Sequence, residues 1–277
     1  MEQFASGWKR SYYGKGDVIA YRLNRDGHVP NEQSPVFGAN VLMLVYGETF
    51  WRTYTEGDNS GLVATDSMKN FIQRETMNFA GDALSDYCHF LAATFVNKYA
   101  QVEGVQVSAV EIPYRPVNGQ VAFAPAGPER ATARVELSRS AVVEATCGIR
   151  GFKLLRLGGS AFHGFVRDEY TTLPEAHDRP LFVHMNVGWT NADLSRCAPS
   201  EDIRDVAIST FCDVDSASIQ ELVYQIGVRV LASFEQIASV DFYAENRLWD
   251  TAQTGDGASV YTDARPPFGV ITLTLER

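Results

Sequence analysis

The sequence predicts an α+β fold made of two successive units, each with paired antiparallel strands, then helices, then paired strands. Three observations support this prediction. Apolar and polar residues alternate near the start of the chain, two later segments repeat apolar residues at helical spacing, and strand-like runs follow each helical segment. With 277 residues, 45% of them apolar and 12% aromatic, the chain is long enough to bury a sizeable core.

The first unit is placed at residues 1–137. Its second strand, rich in β-branched and aromatic residues, should run antiparallel to the first. Its second helix repeats apolar residues at helical spacing, and these should lie in the core: Leu84, Tyr87, Cys88, Leu91, Phe95 and Val96. The predicted elements are strands at 12–23 and 41–54, a helix starting near 68, a helix at 83–99, and strands at 105–112 and 131–137.

The second unit is placed at residues 138–277. Its long helix carries one apolar stripe: Ile219, Leu222, Val223, Ile226, Val230 and Leu231. No linker rich in glycine, serine or charge separates the units, so we do not expect them to fold independently. The predicted elements are strands at 142–157 and 160–167, an extended segment at 202–211, a helix at 216–237, and strands at 240–245 and 269–275.

The net charge of −10 opposes binding to nucleic acids or anionic membranes, since the field of the chain repels polyanions. An anionic substrate must therefore meet local arginines or lysines. The four cysteines are scattered without a Cys-x-x-Cys pair, which predicts reduced core thiols and neither a zinc site nor a disulfide framework: Cys88, Cys147, Cys197 and Cys212.

The sequence also indicates where the protein resides. The residues from Met1 show no basic-then-apolar signal, and no run of about 18 apolar residues could span a bilayer. The end at Thr274–Arg277 has no Ser-Lys-Leu type of peroxisomal address. We therefore expect a cytoplasmic protein, and a bacterial source fits better than a eukaryotic one.

The most informative stretch runs from Gly57 to Asn70, where turn residues are followed by a short apolar run and then by a helix start. Residues 62–64 are suited to a buried strand, and Asp66 or Ser67 can cap the helix. Thr65 should then lie at the helix N-terminus. At such a corner a hydroxyl and unpaired N–H groups point into the same space, and these donors together favour an anionic or carbonyl-bearing ligand.

This stretch, which contains Asp-Asn-Ser, Val-Ala-Thr-Asp-Ser and Lys-Asn, resembles the signature of the urate oxidase (uricase) family. The segments 162–179 and 216–220 resemble the same family, and the resemblance extends over residues 12–272. It implies a tandem tunnelling fold that forms a β-barrel tunnel on oligomerisation. It also implies a homotetramer in which each site lies between two subunits.

The resemblance assigns five residues to substrate binding. Phe162 would stack on a purine. Arg179 would donate two parallel hydrogen bonds, one to a carbonyl oxygen and one to a ring nitrogen, because its planar guanidinium presents two N–H groups along one edge. The amide of Gln220 would hold the opposite edge, Ile219 would contribute backbone, and Asp66 would face them from the other subunit.

Local sequence alone favours a different role for this arginine. An arginine beside Asp178 and close to Glu175 would ordinarily pair with one of these carboxylates at the surface. Its assignment to a ligand therefore depends on the matching motif.

The resemblance assigns proton and oxygen handling to three further residues. Lys15 would form a proton relay with Thr65, because a lysine held away from water can accept a proton near neutrality. Asn246 would hold dioxygen or water with Thr65. Two residues beyond that asparagine the family carries a relay histidine, where this chain has Leu248. None of the five histidines occupies that place in sequence, although folding could bring one near.

The implied reaction is oxidation of an oxopurine by dioxygen without metal or flavin, which for urate gives 5-hydroxyisourate and hydrogen peroxide. Because leucine cannot carry a proton, two consequences compete. Either Lys15 and Thr65 suffice, or urate turnover falls by about 10²–10⁴-fold, as is usual for loss of a general acid or base. The alternatives are an enzyme of the same fold with another reaction on a purine, pyrimidine or pterin-like ring, and a purine-binding protein without catalysis.

Overall fold

A computed structural model describes residues 11–24, 35–118, 121–194 and 197–277. The N-terminal residues from Met1, for which the sequence predicts no signal peptide, lie outside these ranges. The chain divides into two compact units. The first comprises residues up to Cys147 together with 193–197, and the second comprises residues 148–192 together with 198–277.

In the first unit, four antiparallel strands lie in the order β1-β2-β3-β6. Helix α2 packs on β1, and helix α3 packs on β3 and β6. All six apolar residues predicted for the stripe of α3 are buried. The elements are β1 (Tyr13–Leu23), β2 (Val36–Tyr46), a 3₁₀ turn (Glu48–Phe50), α1 (Trp51–Glu56), α2 (Thr65–Asn78), α3 (Leu84–Lys98), β3 (Gly104–Glu111), β4 (Tyr114–Asn118), β5 (Ala122–Pro125) and β6 (Arg130–Ser138).

Strand β7 (Val142–Phe162) begins in the first unit and continues into the second, where the strand order is β7-β8-β9-β12. Helix α5 packs on β9 and β12. No helix among the described residues is long and apolar enough to cross a bilayer. The remaining elements are β8 (Ala176–Asn191), α4 (Ser200–Asp213), α5 (Ile219–Ser233), β9 (Ile237–Asn246), β10 (Asp250–Gly255), β11 (Ala258–Thr262) and β12 (Gly269–Glu276).

Both units follow one order of elements: two strands, two long helices, and two strands separated by a small hairpin. The two hairpins, β4–β5 and β10–β11, were not predicted, and neither was β8. The α+β fold class is confirmed, because the strands pair antiparallel and the helices pack against them.

The second strand is shorter than predicted. Its partner β3 begins at Gly104, which lies opposite Tyr46, so the chain beyond Tyr46 has no strand to pair with. It turns into a helix at Trp51 instead of continuing to residue 54. Residues 62–64 are not a strand either, because the N–H of Val63 donates to the hydroxyl of Tyr13 and not to a neighbouring strand.

Two predictions in the second unit are also wrong. Residues 202–211 are helical, and their buried positions repeat with helical period: Ile203, Ala207, Thr210 and Phe211. Strand β7 runs without a break through residues 158 and 159 and ends at Phe162, so residues 163–167 are not a strand. The long helix is shorter than predicted, and Leu231 is only half-buried.

The expectation of four reduced thiols is wrong for two of them. Cys147 and Cys197 form a disulfide across 50 residues of sequence. Cys88 is a buried free thiol whose pKa is raised by burial, and Cys212 is free and exposed. The separation of the paired cysteines gives no sequence signal, because only the fold brings them together.

One arginine ties the first sheet to the segment between α2 and α3. The side chain of Arg22 is only 9% exposed, and its Nη2 lies 2.9 Å from Asp82 Oδ1. Its Nη1 donates to the carbonyl oxygen of Phe79, and its guanidinium carbon lies 5.3 Å and 5.8 Å from the ring centroids of Phe37 and Phe79. Arg22 is nearly buried whereas the Asp82 side chain is 31% exposed, so loss of the arginine leaves the Phe79 carbonyl oxygen without its donor and the Asp82 charge only partly solvated.

Replacement of this arginine should destabilise the first unit. We expect Arg22→Met to lower the free energy of unfolding by about 3 kcal/mol, because Asp82 and the Phe79 carbonyl lose their donor. Arg52→Met, which removes surface ion pairs with Glu56 and Asp58, should change it by less than about 1 kcal/mol. Urea unfolding of both variants measures the difference, and equal effects would contradict this view of Arg22.

Candidate active site

The first unit contributes the corner at Thr65, which is the first residue of helix α2. The preceding residue, Ala64, offers no side-chain cap, so the predicted capping by Asp66 or Ser67 is wrong. The N–H groups of the first helical turn have no partner inside the helix. These N–H groups lie at the positive end of the helix dipole, next to the Thr65 hydroxyl. The helix N-terminus therefore favours binding of a negatively charged oxygen or a carbonyl oxygen.

The corner is held by contacts from outside the helix. The hydroxyl of Tyr13 accepts the N–H of Val63 at 2.9 Å, and burial raises the pKa of Tyr13 to about 12. Gln101 Nε2 donates to the carbonyl oxygen of Gly61 at 3.2 Å. These bonds hold Gly61 and Val63 in the segment before the helix, and they therefore help to fix the position of Thr65.

The carboxylate of Asp66 is already engaged. Lys69 Nζ donates to it at 2.6 Å and Asn70 Nδ2 at 3.1 Å. The hydrogen bond from Lys69 is the main reason that the pKa of Asp66 lies below its usual value, and the charge of Lys15 lowers it further. The carboxylate of Asp66 is thus paired within its own helix, which leaves its backbone N–H for a ligand.

Lys15 is presented by an irregular part of β1. The pairing of β1 with β2 shifts register between Lys15 and Val18, and Asp17 adopts a φ of 56° while accepting a 2.7 Å hydrogen bond from Asn40. A bulge of this kind redirects a side chain. No acceptor among the described residues forms a hydrogen bond with the half-buried ammonium group of Lys15.

In the second unit, the end of β7 lies beside the segment that leads into α5. The N–H of Ala161 donates to the carbonyl oxygen of Ser216 at 2.8 Å, and the N–H of Ser216 donates to that of Gly159 at 3.0 Å. These bonds place Phe162, the last residue of β7, next to the start of the helix.

The start of α5 is fully capped, unlike that of α2. Ser218 Oγ accepts the N–H of Glu221 at 3.1 Å, and the carboxylate of Glu221 accepts the N–H of Ala217 at 2.8 Å. This reciprocal arrangement is a variant of the capping box, because Glu221 accepts the N–H of the residue before the cap Ser218 and not that of the cap itself. It fixes the first turn, in which Ile219 is buried and Gln220 is exposed, and no described residue bonds to the Gln220 amide.

Phe162 offers an aromatic platform. Its ring stacks on that of Phe165 with a centroid separation of 4.9 Å and an interplanar angle of 15°. The guanidinium carbon of Arg179 lies 5.7 Å from the centroid of the same ring. The structure therefore brings two of the predicted binding residues together, and Phe165 fixes the plane of the ring.

Arg179 does not form the surface ion pair that its neighbours in sequence would suggest. The carboxylate of Asp178 accepts the N–H of Gly159 at 2.7 Å, and that of Glu175 accepts the N–H of Gly164 at 3.1 Å. Among the described residues no carboxylate pairs with Arg179, and its buried Nε has no partner. Burial lowers the pKa of Arg179, but a guanidinium remains charged near neutrality.

The pairing of β8 with β9 brings Leu248 to Arg179. Asn246 lies opposite Val183 in the pairing of β8 with β9. The N–H of Arg247 donates to the carbonyl oxygen of Phe182 at 2.9 Å. The chain after Asn246 therefore runs alongside β8 towards the start of that strand, and this places Leu248 near Arg179. Asn246 Oδ1 is buried without a partner in the described parts of the chain. Leu248 and Arg179 line one cavity of about 200 Å³, together with Leu155, Pro180, Phe182, Trp249, Thr251 and Tyr261.

No described histidine lines this cavity, so none of them takes the place of Leu248 there. The described histidines are His89, His163, His177 and His184, whereas His28 lies outside the described residues. His184 is near Glu245, at 3.9 Å, and burial lowers its pKa. Within the described ranges, no three His, Cys, Asp or Glu side chains are grouped as a metal ion would require.

Four residues near these positions were not predicted from the sequence: Tyr13, Phe165, Trp249 and Tyr261. The first three adjoin predicted site residues within the motifs, so proximity in sequence was a usable signal. Tyr261 lies in the β10–β11 hairpin, which no pattern indicated.

The chain is similar to known proteins of one family. The family model described as Uricase matches residues 47–136 and 145–272. The chain belongs to the uricase family. It is 35% identical to the uricase of Haloferax volcanii, over 96% of this chain and 97% of that protein. It is also 35% identical to the uric acid degradation bifunctional protein PucL of Bacillus subtilis, where 96% of this chain spans 60% of the relative.

Solved uricase structures share the fold. The crystal structure of a uricase from Bacillus fastidious superimposes with a TM-score of 0.87 at 35% identity, covering 97% of this chain and 94% of that one. A uricase from Arthrobacter globiformis gives a TM-score of 0.85 at 26% identity, covering 98% and 95%. The chain therefore has the α+β tandem tunnelling fold of uricases.

An arginine held for a ligand should contribute nothing to stability. We expect Arg179→Met to leave the free energy of unfolding within about 1 kcal/mol of the parent or to raise it, because the change removes an unpaired, partly desolvated charge. The control is Arg156→Met in the same unit, where Arg156 bonds to Asp215 and to the carbonyl oxygens of Phe211 and Val214.

That control should lower the free energy of unfolding by about 2 kcal/mol, since it leaves the partly buried carbonyl oxygens of Phe211 and Val214 without this donor. Chemical denaturation followed by circular dichroism measures both variants. A loss in Arg179→Met as large as that in Arg156→Met would show that Arg179 is structural.

Proposed function

We propose that the chain is a cofactor-independent oxidase of the uricase type, which oxidises urate or a closely related oxopurine with dioxygen. The observation that carries this proposal is the guanidinium of Arg179, which lies beside the Phe162 ring without a carboxylate partner among the described residues. A flat, anionic heterocycle would stack on the Phe162 ring and supply the acceptors that Arg179 lacks.

Binding would use groups of fixed orientation. Arg179 would donate two parallel hydrogen bonds to a carbonyl oxygen and a ring nitrogen, while the exposed amide of Gln220 would bond to the opposite edge. The capping box before Gln220 and the stacking of Phe165 on Phe162 hold these groups in place before the ligand arrives. Ile219 would contribute its backbone at the start of the helix. Such preorganisation reduces the entropy lost on binding.

Proton and oxygen handling would fall to Lys15, Thr65 and Asn246. Lys15 would accept a proton through the Thr65 hydroxyl, which yields a more electron-rich purine anion. The N–H groups of Thr65 and Asp66 would stabilise the negative charge. Asn246, whose side-chain oxygen is buried without a partner in the described residues, would hold dioxygen or water.

The reaction balances without an added cofactor. Two electrons pass from the ring to dioxygen, a peroxide forms at C5 and then leaves, and water supplies the oxygen that replaces it. The sum is urate, dioxygen and water giving 5-hydroxyisourate and hydrogen peroxide. The chemistry needs orientation and proton transfer from the protein, and both fit the residues named above.

For Leu248 we propose that Lys15 and Thr65 suffice for proton transfer. Leu248 lines a cavity in which Leu155, Pro180 and Phe182 add apolar surface, although Arg179 and Thr251 line it as well. An apolar wall keeps water from the reacting ring and strengthens the electrostatic effects of the remaining relay.

We further propose that the active unit is a homo-oligomer, most simply a tetramer with a β-barrel tunnel, in which each site joins two subunits. Lys15, Thr65 and Asp66 of one chain would face Phe162, Arg179 and Gln220 of another. The tunnelling-fold repeats would be residues 1–137 and 138–277, since each range contains one full set of strands and helices.

Urate turnover tests the reaction. The purified chain should consume urate and form one hydrogen peroxide per urate, and Leu248→His should change kcat by less than about tenfold. Lys15→Met should lower kcat by about 10²–10⁴-fold, because the base is lost. The control Lys98→Met, at the end of α3, should have no effect. An inert parent with an active Leu248→His variant would show that the natural substrate is not urate, and binding without turnover would favour a purine-binding protein.

Complementation tests the shared site. Lys15→Met and Arg179→Met should each be nearly inactive alone. Co-expressed with different tags and purified as mixed oligomers, they should regain activity, because one combination of subunits joins two unaltered halves. If each site lay within one chain, every site would carry one substitution and the mixture would stay inactive.

A further inference from the structure

Strand β1 places Tyr13 and Lys15 on the face of the sheet that the helices cover. The pairing of β1 with β2 is regular here, with Tyr13 opposite Val45 and Lys15 opposite Met43. Val45 and Met43 are fully buried in the core. Alternate residues of a strand share a face, and directly opposite residues of paired strands share it as well. Tyr13 and Lys15 therefore stand on the helix side of β1.

The phenol of Tyr13 joins this strand to the segment that leads into helix α2. Its hydroxyl accepts the N–H of Val63 at 2.9 Å, and Val63 is buried. Its ring meets the buried ring of Phe50 edge-on, with a centroid separation of 5.0 Å and an interplanar angle of 85°. The ring contact fixes the direction of the phenol, so the hydrogen bond holds the segment before α2 at a set distance from β1.

Both ends of this link lie two residues from a residue of the proposed proton relay. Lys15 follows Tyr13 by two residues, which is about 7 Å along an extended strand. Thr65 follows Val63 by two residues and begins helix α2, which packs on β1. Proton transfer between a lysine and a hydroxyl requires hydrogen-bond distance, so it depends on the separation of these two backbone segments.

We propose that Tyr13 is a positioning residue, whose phenol sets the distance between Lys15 on β1 and the Thr65 hydroxyl at the start of α2. This inference rests on the proposed function, in which these two residues transfer the proton. Gln101 also holds the segment before α2, through Gly61, but it comes from between α3 and β3 and not from the strand that carries Lys15.

Tyr13 does not need to exchange a proton itself for this role. Burial raises the pKa of Tyr13 to about 12, so the phenol stays neutral near pH 7. Its hydroxyl oxygen is engaged by the N–H of Val63. Tyr13 therefore acts through Lys15 and Thr65.

The test compares Tyr13→Phe with the matched control Tyr87→Phe. Tyr13→Phe keeps the ring against Phe50 and removes only the hydroxyl. Tyr87→Phe removes another phenol of the same unit, whose oxygen lies 2.6 Å from the Thr76 hydroxyl and whose pKa burial also raises to about 12. The measurements are kcat for urate oxidation and the affinity for urate by calorimetry without oxygen.

Tyr13→Phe should lower kcat by about 10–100-fold, because displacement of a reacting group by about 1 Å can cost about 10²-fold in rate. The affinity for urate should fall by less than about threefold, since the proposed binding residues Phe162, Arg179 and Gln220 belong to the second unit. Tyr87→Phe should leave kcat unchanged. A parent-like kcat in Tyr13→Phe, or an affinity that falls as far as kcat, would overturn the proposal.

A double variant separates positioning of the relay from a general structural role. In a Lys15→Met background there is no lysine left to position, so Tyr13→Phe should lower the remaining kcat by less than about twofold, as expected for residues that act as one unit. If Tyr13→Phe costs as much in this background as in the parent, Tyr13 does not act through Lys15.

An NMR measurement tests the positioning without turnover. The chain has five lysines, so the Cε signals of ¹³C-labelled lysine are few, and the signal of Lys15 is the one that Lys15→Met removes. This signal should move in Tyr13→Phe and stay in place in Tyr87→Phe. An unmoved signal in Tyr13→Phe would overturn the proposal.

These measurements also separate the proposal from the function on which it rests. If the parent does not oxidise urate, the proposed function fails, and the NMR signal still decides whether Tyr13 positions Lys15. If the parent oxidises urate and only the Tyr13→Phe comparison fails, the function stands without this role. If Tyr13→Phe does not fold, hydrogen exchange of the parent decides: the Val63 amide should exchange more slowly than that of the exposed Ala64, and equal rates would overturn the proposal.

Discussion

The availability of Arg179 for a ligand depends on the way two neighbouring carboxylates are occupied. Asp178 and Glu175 accept backbone N–H groups from Gly159 and Gly164, so neither is drawn to Arg179. A guanidinium partly removed from water and left without a counter-charge carries an energetic penalty that a ligand can relieve. The backbone N–H groups that occupy Asp178 and Glu175, near the junction of β7 and β8, therefore keep Arg179 available for an anion.

The two helix starts that carry site residues are built differently, and the difference fits their proposed roles. Helix α5 begins with a side-chain cap from Ser218 and a return bond from Ala217 N–H to Glu221, so its first turn acts as a rigid support for the Gln220 side chain. Helix α2 begins without a side-chain cap, so its own N–H groups remain for a ligand. In the second case the neighbouring Tyr13 and Gln101 supply the rigidity that a cap would have given.

Much of the fold could be predicted from the sequence, because the helix α3 and the paired strands follow simple hydrophobic periods. The errors arose where a distant partner decides the outcome: β2 stops where β3 begins, and Cys147 meets Cys197 only after folding. The motifs identified candidate site residues but not their partners. Trp249 could not be assigned to the cavity, since its place there follows from the register of β8 with β9.

The most direct measurement is a crystal structure of the chain soaked without oxygen in urate. The central claim predicts Arg179 nitrogens about 2.7–3.2 Å from a carbonyl oxygen and a ring nitrogen of the ligand, with the purine stacked on Phe162. Urate bound elsewhere, or an Arg179 side chain turned onto a carboxylate while the ligand is present, would contradict it.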